Sequence, residues 1–303
     1  MVRYVLQRLL QAAIVLVVVV TIVFVLERLS GSPVDLLVSS RATAADITAM
    51  SKYLGLEDPI YVQYGRYLLR LAQGDFGESF SYRAPVRDLI VNAFPYTAAL
   101  AVAAFIFASV VGVTLGTLAA VRSGGRVDAV VRGFGFIGQS VPSFWLAIIF
   151  VMIFAVKLGW LPAFGSGGVD HLILPAVALG AFPMAAISRL TRSATLDALR
   201  ADHMLFERSK GVSPSVFLSH LLRNASLPVI TLSGIQLGEL LSGTIIVETI
   251  FAWPGVGQLA IQALSTRDYN IVQAVVLVQT ATFVLLNLLV DISYGWLDPR
   301  VRT

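Results

Sequence analysis

Cysteine is absent from all 303 residues, and charge is scarce, with Asp, Glu, Lys and Arg together making up 13% of the chain. The first absence removes disulfides, thiolate nucleophiles and Cys-ligated zinc or iron–sulfur centres, and leaves the redox compartment open. The second does not fit a water-soluble surface, where roughly a quarter to a third of the positions are charged. Histidine is nearly missing: His171, His203 and His220 are the three, and none lies in a ligand-spaced cluster, so no metal site is expected in this chain. No histidine falls mid-span either, which denies an intramembrane serine hydrolase its base. The lysines are Lys52, Lys157 and Lys210. None follows a glycine, so the phosphate-binding pattern G-x-x-x-x-G-K-[ST] cannot be written.

What fills the chain is apolar: 57% of residues are hydrophobic and the mean hydropathy is +0.81. That composition excludes disorder and collagen, and uninterrupted apolar runs place the chain in a membrane. From Leu9 to Leu26 only Gln11 interrupts, giving roughly 27 Å of helix at 1.5 Å per residue. No small-x-small cleavage site follows, so this is expected to be a retained span and not a leader. Further spans are expected over Tyr96–Val121, Phe134–Val156, Leu172–Leu190, Leu227–Ile250 and Ile271–Leu289. The expected fold class is an all-α polytopic membrane protein with six transmembrane helices. Pro142, Pro175 and Pro183 interrupt the third and fourth spans, which membrane helices tolerate when neighbouring protein satisfies the freed carbonyls. Gly133, Gly135 and Gly138 spell G-x-G-x-x-G, but no strand precedes them. Small residues allowing close helix approach explain them better, as they do Gly112 and Gly116.

With the N-terminus inside, thirteen of the 22 cations fall on inside segments: Arg3, Arg8, Arg122, Arg126, Arg132, Arg189, Arg192, Arg200, Arg208, Lys210, Arg223, Arg300 and Arg302. The two short outside loops hold Lys157 and Arg267 alone, so both termini are expected to be cytoplasmic. Three parts follow: residues 1–29 with the first span, an external segment 30–95, and a core 96–303 with a cytoplasmic loop 189–224. The external segment is punctuated by Gly31-Ser32-Pro33, Asp58-Pro59, Gly74-Asp75 and Ala84-Pro85. Its Tyr61, Tyr64, Tyr67, Leu68, Leu69 and Leu71 are too dense for a linker and predict an ordered cap packed on the membrane domain.

Loop 189–224 is long for a bundle connection. Thr195–Lys210 is helical and amphipathic, and Gly211 sits where a left-handed C′ residue would end the helix. Ser213 and Pro214 then predict an N-cap and first position of a second short helix. There Phe217, Leu218, Leu221 and Leu222 share an apolar face, and His220, Arg223 and Asn224 a polar one. By spacing alone such a face fits a protein partner or the lipid headgroups equally well. In the fifth span Ser233, Gln236, Glu239 and Ser242 form a polar stripe. Glu239, at membrane depth, is a candidate for lining a translocation path, or else a carboxylate bonded across helices. Asp291, one turn from Asn287, is expected to brace neighbouring helices.

Lys210-Gly211, with Arg223-Asn224-Ala225 and Leu227-Pro228 after it, resembles the cytoplasmic loop of the integral membrane subunits of ATP-binding-cassette importers. The closer likeness is to the dipeptide, oligopeptide and nickel permease group, whose first external segment is long in one of two paired permeases. The likeness runs through Arg3-Tyr4, Arg8-Leu9-Leu10, Leu54-Gly55-Leu56, Pro59, Gln63-Tyr64 and Gly74-Asp75-Phe76-Gly77. It continues through Val247-Glu248-Thr249-Ile250-Phe251, Trp253-Pro254-Gly255-Val256-Gly257, Arg267-Asp268-Tyr269 and Leu297-Asp298-Pro299-Arg300. One departure is Glu207, which stands where the group has a small residue, whereas Ser209 keeps the other small position.

The resemblance implies a type I importer transmembrane fold, with Lys210, Gly211, Ser213, Pro214, Phe217, Leu218, Arg223 and Asn224 on an ATPase-coupling element. It implies an outer gate at Trp253, Pro254 and Gly255, with Glu248 either shaping that gate or facing substrate. It further implies a second homologous permease, two cytoplasmic ATPases carrying ATP and Mg, an external substrate-binding protein, a prokaryotic inner membrane, and no cofactor, catalysis or nucleic acid in this chain. Cargo in the group ranges over short peptides, nickel chelates, glutathione, opines and some sugars. The rival class is a self-sufficient proton-coupled transporter built on Glu239, whose inverted repeats are not visible in the sequence.

Overall fold

The computed structural model describes residues 2–29, 52 and 57–297, with the side chains of 2–5, 27–29, 242 and 291–297 outside the description. The described residues are helical apart from turns and one isolated antiparallel bridge, Glu78 to Pro85. The helices are α1 (Val2–Leu29), α2 (Ile60–Ala72), α3 (Val86–Val121), α4 (Arg126–Ser140), α5 (Ser143–Phe150), α6 (Val169–Leu199), α7 (Asp202–Ser209), α8 (Pro214–Ile250), α9 (Val256–Ser265) and α10 (Tyr269–Leu297). Four of them, α1, α3, α6 and α10, are long and apolar enough to cross a membrane, and up to six spans result if the bent pairs α4–α5 and the two halves of α8 each count as one.

The centre of the bundle is the parallel pair α3 and α6. Below the buried Leu100, the residues Ala104, Ala108, Gly112 and Gly116 recur every fourth residue along α3 and are buried, a small-residue stripe that lets two backbones approach. A Cβ on Gly112 would lie 2.9 Å from the Met184 carbonyl oxygen, and one on Gly180 would lie 2.7 Å from that of Ala104. Close approach thus works in both directions. Of the three glycines in α4, Gly138 alone behaves this way, with Ala185 Cβ at 3.0 Å; Gly133 and Gly135 face open space, contrary to expectation. Around this pair a core of Leu100, Ala147, Leu179, Leu240, Val247, Phe251 and Trp253 joins α3, α5, α6 and α8. The apolar window of α6 is 67% buried and that of α1 11%, so α6 is the axis and α1 the periphery.

Three expectations about spans need correction. The third is not a continuous helix: α4 and α5 meet at 106°, because Val141 before Pro142 is forced to extended backbone (φ −95, ψ 123) by the proline ring. A π-helical turn, Val151–Lys157, then ends the segment. The second begins at Val86 and carries Pro95 inside, ten residues before the expected start. The fifth begins at Pro214, and the expected short helix is its first three turns.

Of the segment expected to form a cap, the described part attaches to α1 through α2 and to the start of α10 through residues 78–81. Tyr64 and Tyr67 on α2 pack on Phe24 of α1 at 5.2 and 5.6 Å between ring centres, and Tyr64 shares a 2.7 Å hydrogen bond with Thr21. Tyr61 and Leu69 point away and are exposed. Leu54-Gly55-Leu56, Asp298, Pro299 and Arg300 lie outside the described residues, as do the side chains of Arg3, Tyr4, Ser242, Asp291 and Leu297.

Candidate functional site

Opposite ends of the bundle carry distinct features. At one end α7 and the start of α8 form a hairpin around Gly211. Gly211 is left-handed (φ +69), a conformation that costs any residue with a Cβ; no atom lies within 4 Å of where that Cβ would be, so the requirement is conformational only. The predicted single helix over Thr195–Lys210 is instead broken after Leu199, and α7 restarts at Asp202. Met204, Leu221 and Ala225 are buried between α7 and α8. Polar contacts fasten the rest: His220 Nδ1 lies 2.9 Å from Glu207 Oε2, and Asn224 Nδ2 donates to His203 Nε2 at 3.1 Å. Glu207, the departure noted in the sequence, is thereby a partner of His220 across the turn. Ser213 precedes α8 but makes no capping bond to its backbone. Lys210 lies over the Phe206 ring at 4.4 Å, and Phe217 is half-buried. Leu205, Phe206, Val216 and Leu218 are exposed, giving the hairpin an apolar outer surface to which the sequence contributed only Leu218.

Behind the hairpin, Arg192 Nε and Nη2 grip the buried Asp128 carboxylate at 2.7 and 2.8 Å. The Gly124 N–H also donates to Asp128 at 3.0 Å. This two-pronged pair ties the α3–α4 turn to α6.

At the other end the run from Glu248 to Gly257 folds into a compact turn. Glu248 is fully buried. Its Oε2 accepts the N–H groups of Gly257 (2.7 Å) and Gln258 (3.1 Å), and its Oε1 accepts the Thr97 hydroxyl (2.7 Å). It thus caps α9 from the preceding helix, supplying the acceptors that the first turn of a helix lacks. Thr97 Oγ1 in turn accepts the Val256 N–H at 2.8 Å. Gly255 is required by contact, since a Cβ there would lie 2.5 Å from Glu248 Cδ. Trp253 is buried, and its Nε1 donates to the Tyr96 carbonyl at 2.8 Å; Pro254 is half-buried beside it.

Nearby, buried Asp268 accepts from Ser79 Oγ (2.7 Å) and the Ser81 N–H (3.0 Å), and Asn270 donates to the Glu78 carbonyl (2.8 Å). These contacts clasp residues 78–81 to the start of α10. Sequence reasoning noted Asp268 only within a motif and missed Ser79 altogether.

Between the ends, a cleft of about 390 Å³ opens where α4 bends into α5 and faces α6 and α8. Gln139, Pro142, Ser143, Pro183, Gln236 and Glu239 contribute to its lining. Gln236 Nε2 donates to Glu239 Oε2 at 2.8 Å. Ser233 is half-buried and does not line the cleft, and Glu248 is turned to α9. Of the expected polar stripe the structure therefore brings together Gln236 and Glu239. Gln139 and Ser143 were missed, although the proline that breaks the helix between them was the available signal, since broken membrane helices line cavities. Among the described residues no group of three or more His, Cys, Asp or Glu is placed to hold a metal.

A polytopic helical bundle with a central cleft, and a structured hairpin projecting from one end, defines a membrane permease domain. Residues 112–303 match the family described as binding-protein-dependent transport system inner membrane component, and residues 1–101 match its N-terminal companion. The chain belongs to that family: it is an integral, multi-pass inner-membrane permease subunit of an ATP-binding-cassette importer.

The glutathione transport system permease protein GsiC of Salmonella paratyphi A is 40% identical over 304 residues, covering 100% of this chain and 99% of that one. The dipeptide transport system permease protein DppB of Alkalihalophilus pseudofirmus is 38% identical over 335 residues, covering 100% of both. The di/tripeptide transport system permease protein DppB of Pseudomonas aeruginosa is 39% identical over 94% of each chain. Among solved structures, an inward-facing MetNI methionine ABC transporter matches with a TM-score of 0.56 at 21% identity, over 69% of this chain and 96% of that chain. That likeness establishes the type I importer fold. Permeases of this class act with ATPase and substrate-binding partners, and the importer reading displaces the self-sufficient proton-coupled one.

Proposed function

We propose that this chain is one of two distinct paired permeases that move short peptides, or a peptide-like solute such as glutathione, into the cell. Two cytoplasmic ATPases hold ATP and Mg, an external binding protein delivers the cargo, and this chain carries no cofactor and performs no chemistry. In this reading the termini and the Gly211 hairpin are cytoplasmic, and segment 30–95 is external. Lys210, Gly211, Ser213, Pro214, Phe217, Leu218, Arg223 and Asn224 belong to the element that follows ATPase closure. The turn at Trp253, Pro254 and Gly255, braced by Glu248, forms the outer gate. The cleft at Gln236 and Glu239, with Ser233 and Ser242 on the same helix, is the path.

The observation that carries the reading is end-to-end identity near 40% with a glutathione permease and two peptide permeases at 38% and 39%. Alternating access needs only that ATP at the hairpin and the binding protein at the opposite end favour different states.

The test is uptake by the complete complex in liposomes, with ATP inside and binding protein outside, comparing a dipeptide, a tripeptide, glutathione and a nickel chelate. ATP-dependent uptake of the peptides or glutathione is expected. Uptake restricted to the nickel chelate overturns the cargo, and uptake indifferent to ATP overturns the mechanism.

A further inference from the structure

A second cavity of about 350 Å³ lies between α4 and α6, nearer the Gly211 end than the cleft just described. Gln139 lines both. The two spaces therefore adjoin at this side chain. Their chemistry is opposite.

The cleft presents acceptors. Glu239 is exposed. Gln236 is 6% exposed, and its Oε1 is buried with no hydrogen-bond partner while its Nε2 is spent on Glu239. The exposed Glu239 carboxylate, held by Gln236 Nε2, is therefore the acceptor that the cleft offers to a group rich in N–H donors. The second cavity presents donors: Arg132, Arg189 and Arg192 line it beside Phe136 and Val131. Asp128 already engages Arg192 and lies 3.4 Å from Arg132 Nε. Arg189 is exposed and has no hydrogen-bond or ion-pair partner among the described residues. One carboxylate does not offset three guanidinium groups, so the cavity is net cationic and suited to a carboxylate.

Along α6 the cleft is marked by Pro183 and the cationic cavity by Arg189, six residues and roughly 9 Å apart at helical rise. An extended peptide advances roughly 3.3–3.6 Å per residue, so the offset of the two cavities along α6 is comparable to the length of a tripeptide. We infer that Glu239 with Gln236, and Arg189 with Arg132, form the two poles of one track for a short zwitterionic peptide. The acidic pole meets the free ammonium and the basic pole the free carboxylate, with Phe136 and Val131 beside the cargo's side chains. This rests on the permease reading and adds to it the class of cargo that the chain itself distinguishes, independently of the binding protein.

The test uses the absence of cysteine. Gln139→Cys, placed where the two cavities meet, is labelled with N-ethylmaleimide in the assembled complex without binding protein, in nanodiscs of phosphatidylcholine, and labelling of this chain is followed by mass spectrometry. Trialanine is expected to slow labelling. N-acetyl-trialanine and trialanine amide should each need roughly tenfold higher concentration, the loss of one charge-assisted contact.

Glu239→Gln should erase the difference between trialanine and its acetylated form, and Arg189→Gln the difference between trialanine and its amide. Both side chains are exposed, so neither change threatens folding. No protection by trialanine up to tens of millimolar overturns the proposal, as does equal protection by all three peptides. Protection by added phosphatidylglycerol in place of peptide assigns the arginines to lipid and overturns it too. ATP-driven uptake by the same Gln139→Cys complex, measured with binding protein, is a separate readout. If uptake persists while protection fails, the importer reading stands and the bipolar track falls.

Discussion

Glu248 Oε2 accepts a hydrogen bond from the Gly257 N–H at 2.7 Å, closing a turn that begins on α8 and ends on α9. The same carboxylate holds Gln258 and Thr97, and Thr97 holds Val256. Removing it strands several buried donors at once, the costly case for a hydrogen-bonded network. Glu248→Ala is expected to destabilise the detergent-purified complex by about 3 kcal/mol and to lower its melting temperature, with Thr97→Val smaller in the same direction. Glu248→Ala that melts with the wild type shows that the carboxylate braces nothing.

The α3–α6 contact makes a sharper claim because it contrasts glycines in one protein. A Cβ on Gly180 would lie 2.7 Å from the Ala104 carbonyl oxygen and 2.8 Å from Phe107 Cδ1, whereas one on Gly133 meets nothing within 4 Å. Gly180→Ala should therefore cost about 1–3 kcal/mol through overpacking, and Gly180→Val should sharply reduce the folded yield. Gly133→Ala should be neutral or slightly stabilising, since alanine favours helix. Fluorescence-detected size-exclusion profiles of the three variants decide it, and equal yields refute the packing argument.

Part of this architecture was open to sequence reasoning and part was not, for physical reasons. Gly112 and Gly116 announced close packing because small residues one turn apart on an apolar helix have few other uses. Gly211 announced the hairpin because a helix that must end sharply needs a left-handed residue. The length of α8 was hidden: Arg223 and Asn224 look like a membrane border, yet the helix continues through Pro228 to Ile250. The break at Pro142 was visible only as a tolerated proline, and the residue pattern carries no measure of the 106° angle that the extended Val141 produces. Ser79 and Asp268 are 189 residues apart. No local periodicity links them, so the clasp emerges only from the fold.

Variants at Gly211 test the proposed coupling role apart from assembly. Its left-handed backbone, φ +69, is free of steric contact, so substitutions rank by conformational cost alone. Asparagine should be tolerated, alanine should cost about 1 kcal/mol and valine more. Because Met204, Leu221 and Ala225 still bury the hairpin, Gly211→Val should leave membrane insertion and subunit assembly largely intact while lowering ATP-driven uptake severalfold. Full uptake by Gly211→Val, with the order asparagine, alanine, valine absent, rejects the hairpin as the coupling element.

Orientation in the membrane can be settled with single cysteines, since none is present in the native chain. Ser123, in the turn between α3 and α4, and Ser265, at the end of α9, are both exposed and stand at opposite ends of the bundle. Arg122, Arg126, Arg192 and Lys210 cluster at the Ser123 end, and short loops rich in arginine and lysine stay on the cytoplasmic side. Ser265→Cys should therefore react with a membrane-impermeant maleimide added to intact cells, and Ser123→Cys only after permeabilisation. The reverse pattern would put the Gly211 hairpin outside, beyond the reach of any ATPase, and the coupling assignment would fall with the topology.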